Sequence, residues 1–323
     1  DNIGYALQGR RDKMIIQGQI GSYWENGQYK RTRDLAETKA GFEDLLTRLH
    51  TNYIDVGMIH IVDTHDDWVA IKDSPFMQYV QELKKKGIIK HIGLSSHNVE
   101  VATEAVKSGL IEVLMFSVNP VFDLLPADAN IFSPSNDFAG LNNINPERAK
   151  LYETCQSMGV GIVVMKTFGS GRLLDASQSP FKIALTPSQC LQYALDRPAV
   201  ACALTGANNE KELLSDLHYF SATDQEKNYA EAFKNAKQAS WKGSCMYCHH
   251  CSPCPMGIDI AEVTKLLNAA KGSDTIPAAV KAQYHALKHK AGECVQCGAC
   301  ETRCPFSVPV RQNMKEAEKL FGE

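Results

Sequence analysis

The sequence predicts an α/β domain followed by a smaller helical region, and three observations carry that reading. From residue 13 to about residue 206, short apolar runs alternate with longer amphipathic stretches, so strands and helices alternate along the chain. The runs KMIIQGQI, YIDVGMIHIV, HIGLSS, VLMFSV, GVGIVVMKT and ACALTG are continuously apolar, as strands buried on both faces require. After about residue 222 the strand signals stop, and eight cysteines crowd into two short runs. A parallel sheet covered by helices, as a barrel or an open sheet, followed by a helical metal-carrying region meets all three.

Local chemistry marks the helices between the strands. Asp34 with Glu37 reads as a capping box ahead of LAETKAGFEDLLTRLH, Pro75 starts a helix that Gly87 stops, and Thr186-Pro187 opens another. The stretch NPVFDLLPADANIFSPSNDFAGLNNINPER, residues 119 to 148, breaks the rhythm and has the length of a lid or binding loop. Beyond it, DQEKNYAEAFKNAKQA reads as an amphipathic linker helix. Further helices are expected from Asp259 with Glu262 in capping position, from Pro277, and at the end of the chain near Phe321. These signals divide the chain into residues 1–235 and 236–323.

The 323 residues are 44% hydrophobic, enough for one large core and a satellite. A net charge of -3 with interspersed signs gives no basic stripe for a phosphate backbone, so nucleic acid is excluded as a partner. No apolar run reaches the roughly 20 residues of a membrane span. Eleven cysteines raise the question of disulfides, but Cys-x-x-Cys repeats are too tight for good bridge geometry. Metal ligation in a reducing compartment, the cytoplasm, is the expectation. Cys155, Cys190 and Cys202 lie in apolar surroundings and read as small buried hydrophobes.

Structural zinc usually takes two Cys-x-x-Cys pairs separated by a longer loop. Here CMYCHHCSPCP from Cys245 and CVQCGACETRCP from Cys294 each set three cysteines at spacing three, then a fourth followed by proline. That pattern resembles two-cluster ferredoxins, in which the cysteine before proline ligates the other cluster. The resemblance implies one 4Fe-4S cluster on Cys245, Cys248, Cys251 and Cys304, and a second on Cys294, Cys297, Cys300 and Cys254. The first run is one residue short before its last cysteine. His249 and His250 read as exposed loop residues. The long helical insert between the runs resembles the α-helical ferredoxin type, which implies electron relay to or from a ferredoxin or flavodoxin partner.

The α/β part resembles the aldo-keto reductase superfamily, in its branch with a C-terminal 4Fe-4S domain. LQGRRDKMIIQGQIG, TNYIDVGMIHIVD, GIIKHIGLSSHN, GVGIVVMKTFGSGRLL and ALTGANNEKEL carry the likeness, in the family's order. It implies a (β/α)8 TIM-type barrel with its site at the C-terminal strand ends. The family's second helix resembles DNIGYALQG, so the segment holding strands 1 and 2 and the catalytic Asp and Tyr is expected to precede Asp1, over about 50 residues. Of the remaining catalytic positions, the likeness puts Gln19 where the family has Lys, and matches its His with His60. A neutral Gln donates a hydrogen bond but supplies no cation to favour a phenolate. His97 is a second candidate.

Nicotinamide, NAD(P), is the further cofactor the resemblance admits. Its expected residues are Ser95 and Ser96, then Lys166, Gly169, Ser170 and Gly171, then Thr205 and Gly206, with Lys211 as a second cation; ordinary strand-to-helix turn chemistry is the other reading of these positions. Lys30, Arg31 and Arg33 in YKRTRD read either as a clamp for a carboxylate or phosphate, or as solvated charges. The implied function is an oxidoreductase whose barrel acts on a small carbonyl-type substrate while two clusters relay electrons. The alternatives are an NAD(P)H-dependent reductase with structural clusters, and a non-catalytic electron carrier.

Overall fold

The computed structural model describes residues 1–25, 28–126, 143–234, 243, 245–271, 275–304 and 306–322. The chain divides into two compact units, Asp1–Phe116 and Ser117–Glu323. In the first, a short helix α1 (Asn2–Leu7) precedes β1 (Gln17–Ile20) and a hairpin of β2 (Ser22–Glu25) and β3 (Gln28–Arg31). Then come α2 (Leu35–Arg48), β4 (Ile54–Ile59), α3 (His65–Lys72), α4 (Pro75–Lys85), β5 (Ile89–Ser95), α5 (Val99–Lys107) and β6 (Val113–Ser117). Strands β1, β4, β5 and β6 lie side by side in parallel, with Ile20 opposite Ile59 and Ile59 opposite Leu94. Parallel register brings the C-terminal ends of all four to one edge. Every residue of β4 is buried, Asp55 included, as a strand covered on both faces requires.

The strand expected from Lys13 begins only at Gln17. The Ile16 N–H donates to Asp55 Oδ2 at 2.9 Å instead of joining the ladder, and Ile15 is 84% exposed. The β2–β3 hairpin was not among the expected strands, although Asn26-Gly27 between its arms is a strong hairpin signal. Helix α2 is capped as expected by Asp34, which accepts from the Glu37 N–H at 2.9 Å. The Glu37 carboxylate does not complete the box; it turns away to Thr32, Tyr23 and Lys30. Helix α4 starts at Pro75 with a Ser74 cap and stops before Gly87, whose φ of +72° lies in the left-handed region.

The second unit holds α6 (Pro146–Met158), β7 (Gly161–Met165), α7 (Pro187–Leu195) and β8 (Val200–Ala203). The chain continues as α8 (Glu210–Leu217), α9 (Asp224–Lys227), α10 (Tyr229–Lys234), α11 (Ile260–Lys271), α12 (Ala278–Ala286), α13 (Ala299–Arg303) and α14 (Val310–Phe321). Strands β7 and β8 are parallel. β8 departs from the expectation of two buried faces: Ala201 and Cys202 are exposed, and among the described residues β7 is its only partner strand. Cys202 is therefore not the buried hydrophobe expected, whereas Cys155 and Cys190 are. The expected linker helix is broken at Asn228, whose side chain accepts from Glu231 N–H and starts α10 afresh, while its carbonyl accepts from Gln189. Of the long segment 119–148, residues 127–142 lie outside the described residues.

One hydrophobic cluster runs through the second unit. It joins Leu173, Phe181, Cys190 and Tyr193 on the strand-bearing side to Val263, Leu266, Tyr284, Met314 and Phe321 on the cysteine-bearing side. Helix α11 is its axis, packing on α6, α12 and α14. Within this apolar mass Asp123 is fully buried and accepts from Tyr152 Oη at 2.5 Å, Tyr193 Oη at 2.8 Å and Arg148 Nε at 3.4 Å. Arg148 also donates to the Ser117 carbonyl at 2.6 Å. Removing the one carboxylate would take its counter-charge from a buried cation and an acceptor from two buried hydroxyls. Asp123→Ala is expected to cost roughly 3–5 kcal/mol in urea unfolding. A loss within the ±0.5 kcal/mol typical of a surface change would show that the network is not what holds α6 and α7 together.

Candidate functional site

In the first unit the strand ends collect polar side chains that the strands themselves exclude. His60 follows the last residue of β4, held there by its N–H donating to the Ile20 carbonyl at 3.0 Å. Burial first, then the neighbouring Arg33, His97 and Arg31, push its pKa down to about 4, so the imidazole is neutral at ordinary pH. On the neighbouring strand, His97 Nδ1 lies 2.9 Å from Asp63 Oδ2 and the His97 N–H donates to Asp63 Oδ1 at 2.7 Å. Although burial works the other way, those bonds hold the Asp63 carboxyl below its usual range. His97 and Asp63 thus form an oriented imidazole–carboxylate pair beside His60.

Gln19 stands on the exposed face of β1 and its Oε1 accepts from Ser22 Oγ at 3.1 Å. That bond fixes the amide, so that Nε2 is the donating end. Ser95 and Ser96 are both buried, and both hydroxyls work inside the chain. Ser95 Oγ accepts from the Ile61 N–H at 2.8 Å, and Ser96 Oγ donates to Asn98 O and Asp63 at 3.2 and 3.3 Å. The YKRTRD cations also have internal partners. Arg31 and Arg33 converge on Asp67, at 3.0 and 2.8 Å, and both donate to the Ile61 carbonyl, so the clamp expected here closes on the chain's own carboxylate. Lys30 pairs with Glu37 at 3.1 Å.

In the second unit, the turn after β7 holds four of the expected residues in one strained stretch. Lys166, Gly169, Ser170 and Gly171 all have φ between 57 and 86°. Asn119 Nδ2 donates to the Lys166 carbonyl at 2.8 Å, and burial lowers the Lys166 ammonium pKa. A left-handed turn at two non-glycine residues is costly and recurs at ligand-binding loops. Thr205 is half-buried and Gly206 exposed just after β8.

The two cysteine runs wind alike. Tyr247 and Gln296, two residues after the first cysteine of each run, are left-handed at φ 54° and 56°; His249 and Gly298, two further on, are at 59° and 76°. Cys254 of the first run lines one pocket together with Cys294, Cys297 and Cys300 of the second, closed by Ile258, Ile260, Val310 and Met314. On the other side, burial pushes the Cys245, Cys248 and Cys251 thiols up to about 12, 11 and 12, and the Cys304 charge raises both Cys248 and Cys251 further. Thiols buried in this way become thiolates only against positive charge, which a bound metal cluster supplies. The donor set therefore fits iron–sulfur ligation. Arg303 on α13 crosses between the runs, donating to the Cys251 and Pro253 carbonyls at 2.5 and 2.7 Å. His249 is exposed as expected; His250 is half-buried, because the loop folds it inward.

The aldo/keto reductase family model matches residues 1–188, more than half of the chain. The chain belongs to the aldo/keto reductase family. A second model, the 4Fe-4S dicluster domain, matches residues 217–308 and covers both cysteine runs. The uncharacterized oxidoreductase YqkF of Bacillus subtilis (strain 168) is 27% identical over 237 residues, 68% of this chain and 72% of its own. The aldo-keto reductase YhdN of the same organism is 31% identical over 100 residues, 30% of this chain and 29% of its own. Among solved structures, a Bacillus halodurans aldo-keto reductase in its holo form superposes with a TM-score of 0.55 at 24% identity, covering 73% of this chain and 78% of that one. The fold is thus that of the (β/α)8 reductases, and the chain is an aldo/keto reductase oxidoreductase carrying an iron–sulfur domain.

In this aldo/keto reductase the structure brings His60 together with Asp63 and His97, a partner pair that sequence reading half-missed. The signal was present: Asp63 lies three residues beyond His60 at the same strand end. Arg197 and Met246, which tie α7 to the first cysteine run, were missed entirely. Because His60 is held neutral, it costs stability in acid. Above pH 6.5 folded and unfolded chains both carry it uncharged. As pH falls from 6.5 towards 4 the unfolded chain takes up the proton first, and stability is lost. His60→Gln is therefore expected to flatten the fall of the urea midpoint across that window. An unchanged slope would mean that the imidazole titrates as an exposed one.

Proposed function

We propose that this aldo/keto reductase family member is an iron–sulfur oxidoreductase: its barrel site acts on a small carbonyl-type substrate, and two 4Fe-4S clusters relay electrons. The observation that supports it best is the shared pocket of Cys254 with Cys294, Cys297 and Cys300, because two runs that exchange their fourth cysteine match the two-cluster pattern. Cys245, Cys248, Cys251 and Cys304 would hold one cluster, and Cys254, Cys294, Cys297 and Cys300 the other. When bound, the clusters supply electrons singly, whereas a nicotinamide supplies a hydride. We assign nicotinamide contacts to Lys166, Gly169, Ser170, Gly171, Thr205 and Gly206 in the second unit; the Ser95 and Ser96 hydroxyls of the first unit are committed within the chain. In this reading residues 1–235 bind the substrate and residues 236–323 carry the electrons, with the boundary itself outside the described residues, and a ferredoxin or flavodoxin is the fitting donor.

At the strand ends, neutral His60 and the Gln19 amide donate hydrogen bonds to a substrate oxygen. Reduction of a carbonyl to an alcohol takes two electrons and two protons, and the His97–Asp63 pair is placed to hold one of those protons. With Gln at position 19, no lysine ammonium favours a phenolate acid there.

The test is anaerobic. Dithionite is expected to bleach the visible absorbance of the purified protein, and a panel of small aldehydes and ketones to restore it. His60→Ala should slow restoration roughly 10²-fold, in line with loss of a positioned hydrogen-bond donor, without altering the dithionite bleaching. NADPH or NADH bleaching would connect hydride to the clusters. Undiminished NADPH-dependent carbonyl reduction after iron removal would sink the relay and favour structural clusters.

A further inference from the structure

Two consecutive residues at the end of α7, Asp196 and Arg197, are buried at 6% and 1% exposure, and both reach towards the first cysteine run. Arg197 Nη2 donates to the carbonyl of Met246, the residue after Cys245, and to Tyr229 Oη at 3.1 Å; its Nε donates to the Tyr193 carbonyl at 3.1 Å. Its Nη1 lies 3.5 Å from Met246 Sδ, and the guanidinium stacks over the rings of Tyr193 at 4.6 Å and Tyr247 at 5.7 Å. Tyr229 Oη in turn donates to Asp196 Oδ2 at 2.7 Å and to the same Met246 carbonyl at 3.0 Å, while Gln192 Nε2 donates to Asp196 Oδ1 at 2.6 Å. Charge of both signs is thus fixed, out of water, beside Cys245 and Cys248.

A cluster that accepts an electron gains one negative charge, and a buried cation held nearby stabilises that reduced state while a buried anion opposes it. Arg197 is bonded directly into the peptide between Cys245 and Tyr247, whereas Asp196 reaches that peptide only through Tyr229. We propose that Arg197 is the positioning residue that sets the reduction potential of the cluster on Cys245, Cys248, Cys251 and Cys304, raising it, with Asp196 as the opposing charge. The proposal rests on the reading that this run carries a cluster.

The experiment is a potentiometric titration at pH 8 followed by electron paramagnetic resonance, with iron and sulfide measured on every sample. Arg197→Met is expected to lower one midpoint by at least a tenfold change in the reduction equilibrium, about 59 mV for one electron, and to leave any other midpoint in place. Arg197→Lys should stay near the parent. Asp196→Asn, close to the parent in shape, should raise the same midpoint, and it decides the matter where Arg197→Met does not fold. Midpoints unmoved in Asp196→Asn, or displaced alike in Arg197→Lys and Arg197→Met with iron intact, would overturn the charge role and leave Arg197 a structural tie. A parent protein without iron–sulfur signals would instead overturn the cluster reading beneath it.

Discussion

A guanidinium can be carried out of water only where its N–H groups meet oxygen and its charge meets a counter-charge. At the end of α7 that constraint is met by groups from three separate stretches: the Tyr193 carbonyl on α7, the Tyr229 hydroxyl at the start of α10, and the Met246 carbonyl in the first cysteine run. Each of these is positioned by the one cation, so the cysteine loop does not hang from the strand-bearing part by apolar contact alone. Apolar packing tolerates sliding, but a directional hydrogen-bond set does not. Asp123 plays the matching role with opposite sign, drawing α6 and α7 together through Arg148, Tyr152 and Tyr193.

The first unit solves the same problem at its strand ends. Asp67 at the start of α3 takes both Arg31 and Arg33, and these cations also bond the carbonyl of Ile61 beside His60. A single carboxylate thereby decides how much positive charge faces the imidazole. The result is a neutral His60 next to a His97 ring oriented by Asp63.

Much of this was readable from the residues. The strand order, the caps at Asp34, Thr186 and Asp259, and the cysteine runs all rest on short-range chemistry that a sequence displays directly. What escaped was set by distant partners. Cys202 looks like a core residue by its neighbours in sequence, yet β8 leaves it exposed. The expected linker helix breaks at Asn228 because Gln189, 39 residues away, claims its carbonyl. The Arg31 and Arg33 fork was visible, but the carboxylate it holds lies more than 30 residues further along the chain. Arg197 carried no motif at all, only the oddity of Asp-Arg-Pro after an apolar helix.

The hydrophobic cluster of the second unit has a bearing on how the protein is assembled. Tyr193 and Cys190 of α7 belong to the same cluster as Leu266 and Met314, and the cysteines Cys245, Cys251, Cys294 and Cys304 pack against it. Iron bound by those thiols, as proposed, would stabilise whatever is folded with them, since a preformed ligand set seldom survives unfolding. That linkage does not stop at the end of the cysteine region. Under the proposed ligation, chelation would act on α7 and on the turn around Leu173 as a denaturant does, and the supply of iron during synthesis would become a folding condition for part of the reductase itself.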